Sequence, residues 1–352
     1  MCLLKAYMRP VEVPPVWNSD CVRQLPQVHM SFAKNFVKPF VPIQAIQTIV
    51  TFAAAHPRSR TILNAFYERL PIQQRGRFHT HFAKLFRNRD NSHIKSGEWK
   101  VNFAGKNIKL PLKANRFWLD WDTALAIDGH DTEIKETYRS LLTGSQKPVT
   151  FIDVGANYGT HSLIFLVHGV SVLTIEPNPL CHDYFFEVCE LNSVKPNLES
   201  VAVGDGDQPL TLSFPESETW LGSVKPATVE EVQSIRLPLS SIVVQQRRID
   251  DFLPSFKSGR MLIKIDAEGF ESEVIKGSKN TLLAKTPDII FEATDAGRRE
   301  ELFELFHSLR YGIAALPWIN ENPPNPLTKL AFLEHPFGNF LAFSIDDNRD
   351  FR

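Results

Sequence analysis

The chain has 352 residues and a formal net charge of −1, and 43% of it is hydrophobic, enough to fill a proper globular core. That balance excludes a generally basic nucleic-acid binder, although the charge is uneven: residues 1–99 carry 14 Lys and Arg against 5 Asp and Glu, leaving 25 against 35 for the rest. Cys2, Cys21, Cys181 and Cys189 are too few and too scattered for a disulfide framework. With no signal peptide, anchor or membrane-length apolar run in the sequence, a reduced, cytoplasmic setting is expected.

The first hundred residues read as helices. "FVPIQAIQTIVTFAAAH" places Ile46, Ile49, Val50 and Ala53 on one stripe, Leu63, Phe66, Tyr67 and Leu70 make a second, and Phe78, Phe82 and Leu85 a third. The expected organisation is therefore a helical extension or cap over 1–99, followed by a catalytic domain over 100–352 that begins with a hairpin at "EWKVNFAGKNIKLPL". The helix "DTEIKETYRSLL", introduced by Asp131, leads to "VTFIDVG", and from there strands and helices alternate: a helix closed by Gly169, then "SVLTIE", "YFFEVCELN" and "LESVAVG". The region around "ETWLG" and Trp220 interrupts the pattern with extra antiparallel strands, and "MLIKIDAEGF" and "DIIFEAT" restore it. A last helix puts Leu302, Leu305, Phe306 and Leu309 on one face, and "GIAALPW" and "NFLAFSID" suggest a closing hairpin. Alternation of this kind predicts an α/β fold with a Rossmann-like, doubly wound, mostly parallel sheet.

"FIDVGANYGTHS" is the decisive stretch. It reads as a buried strand ending at Val154, a turn in which Gly155 and Gly159 permit close backbone approach, and a helix starting near Tyr158. In an open parallel sheet, ligands bind beyond the carboxyl ends of the strands where the winding reverses. A dinucleotide site would show G-x-G-x-x-G, whereas Asp153, Gly155, Asn157 and Gly159 give D-x-G-x-N-x-G. An acid beside the turn repels a pyrophosphate and suits a ligand with an ammonium group and no phosphate, which points to S-adenosylmethionine. Glu176, 21 residues beyond Gly155, ends the next strand near the spacing of about 20 at which a carboxylate reaches ribose hydroxyls. Asp205 ends a third strand and can face the adenine amine. Taken singly, each acid also reads as a helix cap.

"FIDVGANYG", "IEPNP", "AVGD", "KIDAEGFESEVIKG" and "IIFE", in that order, resemble the FkbM-type S-adenosylmethionine-dependent methyltransferases over roughly Phe103 to Ile345. The resemblance implies a class I methyltransferase fold and O-methylation of a hydroxyl on a sugar, glycan or secondary metabolite. It places Asp153, Gly155, Asn157 and Gly159 in the loop at the methionine end and Glu176 on the ribose. Thr160 and Asn178 complete the expected cofactor-binding set, with Thr160 and His161 standing where members often carry aromatic residues.

Methyl transfer to oxygen requires alignment, worth on the order of 7–11 kcal/mol, and a base worth around 10²- to 10⁴-fold. "KIDAEGFE" offers Asp266 and Glu268 as catalytic candidates, with Glu271 reading more simply as a complement to the helix dipole. His161 is an alternative base, and Lys264 a partner for the acids. His79, His81 and His93 lack an acid or Cys at ligand spacing, so no metal is expected. The aromatic run "ANRFWLDWDTAL", with Arg116, Phe117, Trp118, Trp121 and Asp122, is a candidate acceptor surface. The expected partners are a small-molecule or glycan acceptor and a second subunit through the N-terminal helices, with neither membrane nor nucleic acid. Two competing functions remain: an RNA methyltransferase, which the basic front favours, and a non-catalytic cofactor-binding scaffold.

Overall fold

Proline punctuates the start of the chain into three short helices. The computed structural model describes residues 42–215, 223–224, 239–319 and 324–345. In it, Pro42 precedes α1 (Ile43–Ala55), Pro57 opens α2 (Pro57–Tyr67) and Pro71 precedes α3 (Ile72–Phe82), positions where a missing N–H is harmless. The expected hairpin follows as β1 (Gly97–Phe103) and β2 (Lys106–Leu112), turning through Ala104 and Gly105 at positive φ. Next come α4 (Phe117–Gly129) and α5 (Thr132–Thr143).

The central sheet has seven strands in the order β12-β13-β11-β10-β3-β4-β5. Its parallel part consists of β3 (Thr150–Val154), β4 (Ser171–Ile175), β5 (Leu198–Glu199), β10 (Met261–Ile265) and β11 (Asp288–Glu292). The closing hairpin is β12 (Tyr311–Ala315) and β13 (Asn339–Ser344), and β13 inserts antiparallel beside β11. The winding reverses between β3 and β10. Between the strands run α6 (Thr160–Val167), α7 (His182–Leu191), α8 (Glu271–Lys276), α9 (Lys279–Lys285), α10 (Ala296–Ser308) and α11 (Lys329–Leu333). The helix after β3 thus starts at Thr160, two residues later than the sequence suggests, because Gly159 at φ 71 still belongs to the turn.

"LESVAVG" is not one strand. It pairs with β4 only as β5, then leaves the sheet edge, and β6 (Ala202–Val203) pairs instead with β9 (Gln246–Arg247). The inserted region supplies β7 (Leu210–Pro215) and β8 (Leu239–Val244), antiparallel as expected; Trp220 lies outside the described residues.

Alternation along β3 assigns its neighbours to two cores. Phe151 joins the apolar cluster that holds the N-terminal helices, hairpin and α4–α7, whereas Ile152 and Val154 join the cluster on the opposite face. The helices before residue 99 therefore share a continuous core with the sheet, and a boundary at 99/100 falls inside β1. In the run "ANRFWLDWDTAL", Phe117 and Trp121 belong to that core, while Arg116, Trp118 and Asp122 are half-buried. Phe117 and Trp121 are fully buried, Trp121 packs edge-on against Trp99 at 5.2 Å, and its Nε1 donates to the Phe82 carbonyl at 2.8 Å. Helical spacing of 117 and 121 turned both rings inward. Among the described residues no helix is long and apolar enough to cross a membrane.

One buried ion cluster ties the helical front to α4 and α5. The Asp128 carboxylate, with no solvent exposure, accepts from Arg75 and, at 2.7 Å, from Arg139. Removing Arg75 leaves the buried carboxylate to Arg139 alone. Arg75→Ala is therefore expected to cost about 3–5 kcal/mol in urea unfolding, against under about 1 kcal/mol for Lys329→Ala, whose partners Glu300 and Glu304 are exposed.

Candidate functional site

The turn after β3 is set by backbone contact. Gly155 has φ 73, and a Cβ built on it would lie 1.8 Å from the Asp266 carbonyl oxygen, so the loops after β3 and β10 touch where only glycine fits. Asp266 N–H donates to the Val154 carbonyl at 3.1 Å and locks the contact. Beside it opens a cleft between the two loops. Its walls include Gly155, Asn157, Glu176, Asn178, Asp266 and Glu268, together with apolar Ile175, Val201, Val203, Leu212 and Phe270.

Glu176 is the acid that faces this cleft from β4. Its Oε2 accepts from Asn157 N–H and its Oε1 from Asn178 N–H, both at 2.7 Å, so the carboxylate holds the two loops while each oxygen keeps a further lone pair. Burial pushes it up to about 7, against the opposing effect of those two amides. Asn178 Nδ2 is a buried donor with no partner among the described residues. An unsatisfied donor and a carboxylate at a strand tip, beside an apolar slot, fit the polar edge and flat ring of a nucleoside.

Asp153 does not line the cleft. It is fully buried, and its Oδ2 accepts from Ser162 N–H at 3.0 Å and Ser162 Oγ–H at 2.7 Å, which anchors the start of α6. Its Oδ1 lacks a hydrogen-bond partner among the described residues. Gly159 also serves packing, because a Cβ there would lie 2.1 Å from the Phe185 ring, and Thr160 behind it is absent from the walls. Asp205 is exposed outside the cleft, where its carbonyl accepts from Arg248 Nε at 2.6 Å. Departure of the chain from the sheet after Glu199 carries Asp205 away, so Val201 and Val203 form that wall instead.

The catalytic candidates divide in the same way. His161 is buried on α6, with Lys135 Nζ at 3.0 Å and the Tyr138 hydroxyl at 3.0 Å, and burial with the nearby lysines holds it well below its usual range. It is a neutral core residue and does not reach the cleft. Asp266 and Glu268 do line it. Asp266 Oδ2 accepts from Lys264 Nζ at 3.0 Å. Burial, then repulsion from Asp266, Glu292 and Glu271, raises Glu268 to about 8, so at neutral pH it is chiefly a hydrogen-bond donor. Its φ of 46 places it in the left-handed region. Glu271 accepts from Gly269 N–H at 2.9 Å and Ala267 N–H at 3.2 Å, so it braces the loop. Among the described residues no group of three or more His, Cys, Asp and Glu is placed to hold a metal.

A polar layer that sequence reasoning missed runs beneath the cleft. Lys264 on β10 and Thr174 on β4 are the register partners of Asp153, and Thr174 Oγ1 donates to Ser162 Oγ at 2.9 Å. Lys135, fully buried on α5, faces the same layer, and burial lowers it to about 8. Only Lys264, a charge inside an apolar strand, signals this layer in the sequence.

Two predictions follow from this geometry. Gly155→Ala adds a side chain where none fits, at a φ that disfavours it, and is expected to destabilise the fold by roughly 3 kcal/mol or more in denaturant unfolding. Glu268 binds its proton more tightly in the fold, about 8 against an ordinary 4.5. Between those values the folded chain keeps a proton that the unfolded chain has lost, so stability falls as pH rises. Unfolding of Glu268→Gln at pH 5 and pH 8 should show a weaker decline than the parent, by about 1–3 kcal/mol after discounting for partial exposure.

Residues 153–313 match the family model of the methyltransferase FkbM domain. A methyltransferase FkbM from Methylobacillus flagellatus KT is similar in structure at 15% identity and a TM-score of 0.34, over 65% of this chain and 54% of that one. The matched part is thus about half of that relative's length. A ribosomal protein L11 methylase from Lactobacillus delbrueckii subsp. bulgaricus matches at 13% identity and a TM-score of 0.33, over 61% and 79% of the two chains. The Pyrococcus abyssi tRNA (uracil-54, C5)-methyltransferase in complex with S-adenosyl-L-homocysteine matches at 11% and 0.33, over 70% and 42%. No curated protein matches the chain. All the walls of the cleft lie between Asp153 and Ile313, the span over which the chain matches the family model of the methyltransferase FkbM domain.

Proposed function

We propose that the chain is an S-adenosylmethionine-dependent O-methyltransferase acting on a hydroxyl of a sugar, glycan or secondary metabolite. The observation that carries this reading is the cleft at the winding reversal, with Glu176 and the unsatisfied Asn178 amide on one side and the Gly155–Asp266 contact on the other. Among the described residues no glycine-rich phosphate cradle accompanies it, and four carboxyl groups, Glu176, Asp266, Glu268 and Glu271, surround or support it. The carboxylates among them, Asp266 above all, disfavour a diphosphate and favour a cationic donor.

When bound, the donor would supply an electrophilic methyl group on a sulfonium centre. The chain's own residues would do the rest: Glu176 would accept from the ribose hydroxyls, Val203 and Phe270 would cover the base, and Asp266, held by Lys264, would anchor the acceptor. Glu268, protonated at neutral pH, would donate to an acceptor oxygen. Alignment of this kind accounts for most of the rate in a displacement reaction.

The test is transfer of a labelled methyl group to a panel of methyl glycosides and hydroxylated metabolites, with RNA alongside. An alkali-stable methyl ether on a panel member is expected, and label confined to RNA would refute the reading. Glu176→Ala should weaken S-adenosylhomocysteine binding at least about tenfold in calorimetric titration, or roughly 1.4 kcal/mol; unchanged affinity would remove Glu176 from the ribose site. Asp266→Asn should loosen the acceptor's position and lower turnover about 10²-fold with near-normal cofactor affinity, and full activity would make Asp266 structural.

A further inference from the structure

His130 and Asp131 form the corner between α4 and α5. Asp131 has φ 46 and ψ 61, in the left-handed region that Asp tolerates better than most residues with a Cβ. The conformation accompanies a specific contact, Asp131 Oδ2 to His130 Nδ1 at 3.1 Å. An aspartate accepting there fixes the imidazole proton on Nδ1 and leaves Nε2 as a lone pair. Nε2 has no hydrogen-bond partner among the described residues, and solvent reaches 57% of the His130 side chain.

The corner stands over the carboxyl edge of the sheet. Glu133, in the first turn of α5, accepts from Asn339 Nδ2 at 2.8 Å, and Asn339 is the register partner of Glu292, which ends β11. The adjacent strand β10 ends at Ile265, immediately before Asp266. The charges interlock across this edge: Asp266 and Lys135 act on His130, Lys135 and Lys264 act on Asp131, and Asp131 acts on Glu292. From the helical front, His79 meets the His130 ring edge-on at 5.1 Å and is itself paired with Asp122 at 3.6 Å.

We propose that His130, oriented by Asp131, is the general base that removes the acceptor's hydroxyl proton, an assignment that rests on the O-methyltransferase reading above. The other candidates are compromised: Asp266 is paired with a lysine, Glu268 holds its proton at neutral pH, and His161 is sealed in the core. Desolvation acts to lower the basicity of His130, and the Asp131 hydrogen bond and charge outweigh it and raise the imidazole above its ordinary 6.5. In the step, the hydroxyl proton passes to Nε2 and the acceptor oxygen forms the new C–O bond. The donor's S–CH3 bond breaks with its electron pair left on sulfur, and the imidazolium later releases the proton to water.

The experiment is an NMR titration of the His130 imidazole, assigned by its loss in His130→Gln, in complexes with S-adenosylhomocysteine and with S-adenosylmethionine. The two ligands differ by a positive charge at the reacting centre. If His130 faces that centre, it should titrate about half a pH unit or more lower with S-adenosylmethionine. Equal titration points overturn the assignment, whereas failure of either ligand to bind overturns the parent reading. With an acceptor from the panel, His130→Gln should lower kcat about 10²- to 10⁴-fold while S-adenosylhomocysteine affinity holds. Asp131→Asn should move the rising limb of the pH–rate profile to lower pH, because it removes the charge that raises His130. Full kcat in His130→Gln, or an unmoved limb in Asp131→Asn, contradicts the assignment.

Discussion

The contact between Gly155 and the Asp266 carbonyl is the constraint on which the site depends. Two parallel strands separated by more than a hundred residues deliver their loops to the same point, and only a residue without a Cβ lets them meet. The approach brings the β4 side of the cleft, with Glu176 and Asn178, against the β10 side, with Asp266 and Glu268. It therefore sets how near the two loops that carry these carboxylates stand to one another.

Beneath that contact lies a buried layer of charge, unusual in a doubly wound core. Asp153 sits between Lys264 and Thr174 in register, Ser162 satisfies one of its oxygens, and Lys135 approaches from α5. Buried charges of this kind are weak contributors to stability but fix geometry once paired. Here they hold the β10 exit and the start of α5 relative to one another. Lys135 illustrates the cost, since burial lowers it even with Asp131 and Asp153 nearby.

Much of this was legible in the sequence, for identifiable reasons. Alternation of apolar runs with 3.6-residue stripes gave the doubly wound sheet, and the turn at Gly155 located the cleft because a glycine there answers a backbone requirement. Glu176 was legible from its distance along the chain. Asp153, Gly159, Thr160, Asp205 and His161 were misplaced because residue type and strand-end position do not tell which face a side chain takes: Asp153 points beneath the sheet's end into the helix-covered layer, and Asp205 follows a strand that leaves the sheet. Phe117 and Trp121 looked like a sugar platform and proved to be core. The pairing of His130 with Asp131 depends on a left-handed backbone at a helix corner, which no periodicity announces.

The most direct test of the account is a crystal structure of the chain with S-adenosylhomocysteine. The account predicts adenosine in the cleft, both ribose hydroxyls within hydrogen-bond distance of the Glu176 carboxylate, and the sulfur directed toward the junction of Gly155 and Asp266. Adenosine bound elsewhere, or a ribose turned away from Glu176, would contradict it.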